Sequence, residues 1–126
     1  TCQGVSHKNS ALGQEEDSPG SMFICSYPGG EEMVAAFTQK GLNHKSYGWR
    51  GIRTPRYTYV VSNGYAPGGR QTELLYDQEK DPWQISPRLI ESGCRTPEIL
   101  GFRKCLKGYL EMIQDPFLWD KDRQPV

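Results

Sequence analysis

The chain holds little that could bind a metal or attack a substrate. Only two histidines, His7 and His44, and four cysteines, Cys2, Cys25, Cys94 and Cys105, occur among 126 residues. No C-x-x-C and no His-x-x-x-His is present, so the ligand spacings of a zinc site are missing. The D-x-D-x-D-G frame of a calcium loop is missing too. Asp77 and Asp81 flank a turn, where Asp77 is expected to accept backbone N–H bonds instead. Gly64 and Gly68-Gly69-Arg70 lack the G-x-x-x-x-G-K-[ST] frame of a phosphate cradle, and no G-x-S-x-G elbow offers a nucleophile. No metal site and no catalytic residue is therefore expected in this chain. Four scattered cysteines are too few for a disulfide scaffold, so reduced thiols packed in the interior are expected. Asn9, Asn43 and Asn63 all lack Ser or Thr two places on, which leaves no glycosylation sequon.

Charge of one sign is also lacking: 15 basic and 15 acidic residues balance. A nucleic-acid partner would call for a basic stripe, and none is visible. No apolar run nears the roughly 20 residues of a membrane span. Only 36% of residues are apolar and mean hydropathy is −0.70. One domain with a thin core is expected from this length. Thr1-Cys2-Gln3-Gly4 opens without an initiator Met or an apolar signal segment, which reads as an excised piece or a processed product.

Residues 1–20 are polar and without period, an extended lead-in. Ser21 to Tyr27 is an apolar run between Pro-Gly turns, read as a buried strand. Glu31 to Lys40 predicts a short helix with two acids in its first turn, Met33 and Phe37 on one face and a Lys-Gly stop. Tyr47 to Arg53 and Arg56 to Ser62 are strands joined at Thr54-Pro55. Tyr57, Tyr59 and Val61 point one way, and Arg56, Thr58 and Val60 the other. Asn63 to Arg70 is a glycine-rich hairpin connection, Thr72 to Tyr76 the returning strand, and Trp83 to Cys94 irregular. Thr96 to Gln114 is the clearest helix: Thr96 caps it, Pro97 opens it, and Ile99, Phe102, Leu106, Tyr109, Leu110 and Ile113 form one apolar face. Gly101 and Gly108 within it predict close packing against a sheet. Phe117-Leu118-Trp119 should dock onto something. The expected fold is α+β, a small antiparallel sheet of three or four strands against one long C-terminal helix, with the domain spanning 21–119 and a tail at 120–126.

The segment Arg50-Gly51-Ile52-Arg53-Thr54-Pro55-Arg56-Tyr57-Thr58-Tyr59, followed after a glycine-rich break by Glu73-Leu74-Leu75-Tyr76-Asp77-Gln78-Glu79-Lys80-Asp81-Pro82, resembles the C-terminal subdomain of sulfatases of the alkaline-phosphatase-like superfamily. Those chains carry R-x-x-R-T-x-R-Y-x-Y and then E-L-Y-D-x-x-x-D-P. Gly4-Val5-Ser6 with Leu12-Gly13 is similar to the end of the sulfatase N-terminal domain. The match departs after Pro82, where Trp83-Gln84-Ile85-Ser86-Pro87 replaces the usual x-E-x-x-N-L. The resemblance implies an accessory subdomain of a sulfuric ester hydrolase. It also implies that the N-terminal domain is this chain's partner, and that formylglycine and a divalent cation such as calcium lie in that domain. Neither Cys25 nor Cys94 fits the C/S-x-P/A-x-R context from which formylglycine is made. The substrate implied for the parent is a sulfated carbohydrate or an aryl sulfate.

Asn43-His44-Lys45-Ser46-Tyr47-Gly48-Trp49-Arg50 places an imidazole, an ammonium, an indole and a guanidinium within eight residues. Cations suit a sulfate and aromatic faces suit a sugar ring. His44, Lys45, Trp49 and Arg50 are the substrate-binding candidates, His44 and Lys45 foremost; a solvated loop beside a core Trp is the plainer reading. In sulfatases this segment lies towards the cleft. A free-standing glycan- or protein-binding module is the alternative function, and a phosphoesterase of the same superfamily a third. If the apolar tail and the first strand contact an absent domain, the chain alone should self-associate.

Overall fold

The computed structural model describes residues 20–124; the polar lead-in, Cys2 and His7 lie outside them. Seven regular elements follow in order: β1 (Met22–Ser26), α1 (Glu31–Gln39), β2 (Gly48–Arg53), β3 (Tyr57–Gly64), β4 (Thr72–Asp77), β5 (Arg88–Leu89) and α2 (Pro97–Met112). The strands form one antiparallel sheet in the order β1-β2-β3-β4-β5, so every strand lies beside its neighbour in sequence. The architecture is α+β with five strands, not three or four. The extra member is β5, two residues within the stretch read as irregular, too short to carry a periodic signal.

One face of the sheet carries the core. Ile52, Tyr59, Val61 and Leu75 meet Ile99, Leu106 and Leu110 of α2, with Phe117 and Ile90 closing the ends. Tyr59 stacks on Phe102 with ring centroids 5.4 Å apart, and Phe23 on Tyr109 at 5.7 Å. The alternation along β3 is as the sequence predicts. Thr96 caps α2 through its hydroxyl, which accepts from the Ile99 amide. Phe37 of α1 is fully buried and packs on Tyr47 at 4.6 Å, whereas Met33 stays 39% exposed.

Three expectations fail for physical reasons. β1 is an edge strand and not a buried one: Met22 and Cys25 are exposed, and the strand is held by its pairing to β2 and by Phe23 against Tyr109. Cys25 is thus no packing residue; Cys94 and Cys105 are half-buried free thiols. Gly101 and Gly108 face open space, with nothing within 4 Å of where a Cβ would stand, so sheet packing does not account for them. The close backbone approach belongs to Gly48 instead. It sits at a register shift in β2 with φ 78°, and a Cβ there would meet the Ser26 carbonyl oxygen at 2.1 Å.

At the centre of the core lies a charge network that the apolar periodicity does not announce. Glu73 of β4 and Arg103 of α2 are both 0% exposed. The Arg103 Nε and Nη2 donate to the two carboxylate oxygens at 2.7 and 2.8 Å. Arg123 Nη1 donates at 2.8 Å, and the Tyr59 hydroxyl donates to the same carboxylate. Arg103 spends further donors on the carbonyls of Cys94, Glu91 and Ser92. Burial pushes the Glu73 carboxyl up, but the donations from Arg103, Tyr59 and Arg123 outweigh it and hold it below the ordinary carboxylate range. Burial, and then the bond to Glu73, push the Tyr59 phenol well up.

Glu73→Gln leaves two guanidiniums around a neutral amide and is expected to destabilise the fold by about 3–5 kcal/mol in urea unfolding. The sign with pH follows from the depressed carboxyl. Its contribution is whole above the ordinary value of 4.5 and is lost as the pH falls from there through the lower folded value. An acid titration of stability should show that limb in the native chain and flatten it in Glu73→Gln. Gly48→Ala, forced into a left-handed backbone against Ser26, is expected to cost about 1–3 kcal/mol by the same measurement.

Candidate functional site

The eight-residue cluster is a 3-10 turn, His44–Ser46, feeding β2. Asn43 starts the turn: its Oδ1 accepts from the Lys45 amide at 3.0 Å, and its carbonyl accepts from the Ser46 amide at 3.0 Å. The Tyr47 amide donates to the His44 carbonyl at 3.2 Å. His44 is half-buried and meets the exposed ring of Tyr27 edge-on at 6.4 Å. Lys45 is exposed. These two present an imidazole and an ammonium at one end of the sheet.

Arg50 stands directly beneath them, 1% exposed. Its Nε and Nη2 donate to Asp115 at 2.8 and 3.0 Å, its Nη2 also to the Lys45 carbonyl at 2.6 Å, and its Nη1 to the carbonyls of Tyr47, Ser26 and Trp49. The guanidinium lies over Phe117, 4.9 Å from the ring centre, and 5.7 Å from that of Tyr27. With all its N–H groups engaged inside the protein, Arg50 acts on the turn from below rather than on a ligand. The structure therefore brings His44, Lys45 and Arg50 together, but with Arg50 in a supporting place.

Trp49 does not join them. Successive residues of a strand alternate in side, and Trp49 lies on the face away from α2. There Ile24, Val60, Leu74 and Tyr76 join it along a shallow groove of about 400 Å³, with Arg53 and Gln84 among its lining residues. No helix covers this face among the described residues. Trp83 and Ile85 of the following loop are 83% and 75% exposed, and Leu89 and Met22 on the same sheet are 65% and 56% exposed. Gln84 takes a left-handed φ of 52° and its amide donates to the Asp81 carbonyl.

The acidic turn after β4 is built as expected. The Glu79 amide donates to Asp77 Oδ1 at 3.1 Å, and Arg56 pairs with Asp77 at 3.1 Å and with Glu79 at 3.2 Å. The Arg56 bond, before any other cause, holds the Asp77 carboxyl below its ordinary value. Asp81 accepts the amides of Ile85 and Ser86. Both carboxylates are thus spent on the chain itself, and no group of three or more His, Cys, Asp or Glu converges among the described residues. No helix there is long and apolar enough to cross a membrane.

Sequence reasoning missed Asp115, Tyr27, Glu73, Arg103 and Arg123. Asp115 reads locally as a helix stop before Pro116, and nothing near it points to a partner 65 residues away. Arg103 sits among Ile99, Leu106 and Leu110 on the apolar stripe of α2, and that misfit of type and position was the one available signal.

Arg50→Ala is expected to cost about 3–5 kcal/mol, because Asp115 is left buried without its partner. Arg50→Lys should recover only part of that in urea unfolding, since an ammonium cannot match the planar fork. No protein-family model matches this chain, and no curated protein sequence is similar to it.

Proposed function

We propose that this chain is the C-terminal accessory subdomain of a sulfuric ester hydrolase, completing the fold of a catalytic domain and shaping the leaving-group side of its cleft. The observation that carries the reading is the way the two resembling segments form one unit. Tyr57 stands opposite Asp77 across β3 and β4, and Arg56 binds the Asp77 carboxylate. The two halves of the sulfatase-like pattern are thus adjacent strands tied by their own charged residues, as parts of one motif should be. The uncovered face with Trp49, Tyr76, Trp83 and Leu89 supports it further, since exposed apolar area of this kind marks a surface made for contact. On this reading that face meets the catalytic domain, and His44 and Lys45 reach the sulfated carbohydrate or aryl sulfate. Formylglycine and the divalent cation belong to the catalytic domain.

Two measurements test it. The chain alone, given a chromogenic aryl sulfate and calcium, should show no turnover above buffer, whereas the full reading frame should encode C/S-x-P/A-x-R upstream and hydrolyse the ester. Lys45→Ala in that full enzyme should raise KM about tenfold, the loss of one exposed charge contact at roughly 1.4 kcal/mol. A reading frame without the nucleophile motif overturns the proposal, and glycan binding by the chain alone would then favour a free-standing module. The isolated chain is also expected to self-associate through its uncovered face. Light scattering should show mass rising with concentration, less so in Trp83→Ser.

A further inference from the structure

The residues after α2 turn back across the end of the sheet that carries the His44–Ser46 turn. Asp115 grips Arg50 with both oxygens, and its Oδ1 also accepts the Phe117 amide at 2.9 Å. The Leu118 amide donates to the Ser46 carbonyl at 3.3 Å. Asn63 of β3 donates through Nδ2 to the carbonyls of both Ser46, at 3.2 Å, and Leu118, at 2.7 Å. Gln71 donates to the Leu118 carbonyl at 2.9 Å and accepts the Asp120 amide at 3.0 Å.

The turn is therefore held at two separate points. One runs from Asp115 through Arg50 to the Lys45 and Tyr47 carbonyls; the other is the direct contact of Leu118 and Asn63 with the Ser46 carbonyl. Within the turn itself, three bonds donated by the Lys45, Ser46 and Tyr47 amides to Asn43 and His44 close the backbone. We propose that residues 115–120 are a strap that positions the His44–Lys45 turn, with Asp115 as its positioning residue acting through Arg50. This inference rests on the reading of that turn as a ligand-contacting loop. Without the Asp115 carboxylate, the Arg50 guanidinium becomes a buried charge lacking its counter-ion and must draw in water or leave its site. Either response takes its donors away from the Lys45 and Tyr47 carbonyls. The β2–β3 and β3–β4 ladders do not run through these bonds.

Amide hydrogen exchange on the intact chain, read residue by residue by NMR, decides the matter. In Asp115→Asn the Ser46 and Tyr47 amides should exchange about ten- to a hundredfold faster, the factor for one lost charge-assisted bond. Amides of β3 and β4 should keep their rates, and Asp115→Glu, which restores the charge, should recover part of the protection. Asn63→Ala, which weakens the second tether and leaves the first intact, should loosen the same two amides to a smaller extent. Equal loosening of β3 and β4 in both variants, or no change at Ser46 and Tyr47 in either, overturns the strap. A sulfate titration in the same samples separates the two ideas. If the turn loosens in Asp115→Asn while sulfate moves neither His44 nor Lys45 resonances in the native chain, the positioning stands and the ligand reading fails.

Discussion

The fold depends on one buried carboxylate. Glu73 accepts from Arg103 on the helix, Tyr59 on the neighbouring strand and Arg123 beyond the helix, and so joins the sheet, α2 and the C-terminal segment. Apolar contact alone would let α2 slide or rotate over a sheet face of Ile52, Tyr59, Val61 and Leu75, since dispersion and area burial are nearly directionless. A two-pronged guanidinium–carboxylate contact is not: it fixes where along the sheet the helix sits and which way it is rolled. Taking such charges out of water costs several kcal/mol per ion, and that cost is offset here because the Arg103 side chain is satisfied on the carboxylate and on three carbonyls.

A second ion pair, Arg50 with Asp115, does for the end of the sheet what Glu73 does for its middle. The two differ in what they serve. The Glu73 network is enclosed in the core and concerns the fold alone. The Arg50 pair lies one bond away from an exposed turn bearing His44 and Lys45, so that the geometry of a surface loop is set by a charge buried beneath it.

The elements were largely legible in the sequence because each had a local cause. β3 shows strict alternation of Tyr57, Tyr59 and Val61 against Thr58 and Val60, and α2 has a cap, a proline start and an apolar stripe. Tertiary placement was not legible to the same degree. The composition of Phe23-Ile24-Cys25 suggests burial, yet the strand is at the sheet edge, because strand order is decided by which neighbours follow and not by the strand itself. β5 is too short to leave a pattern. In the candidate site, His44 and Lys45 stand out as a cluster of chemical types, but Trp49 and Arg50 are consecutive in a regular stretch of β2 and so fall on opposite faces. Asp115 could not be found locally, since a pairing across 65 residues leaves no short-range trace.

The two long-range ion pairs also bear on how the molecule comes into being during translation. All the strands of the sheet precede Arg103, Asp115 and Arg123 in the chain and are synthesised before them. Until then Arg50 and Glu73 have no counter-charges, and burying either of them alone would leave an unpaired charge in the interior. Completion of the core therefore waits for the C-terminal part of the chain to emerge, and the meander remains a substrate for chaperones in the interval.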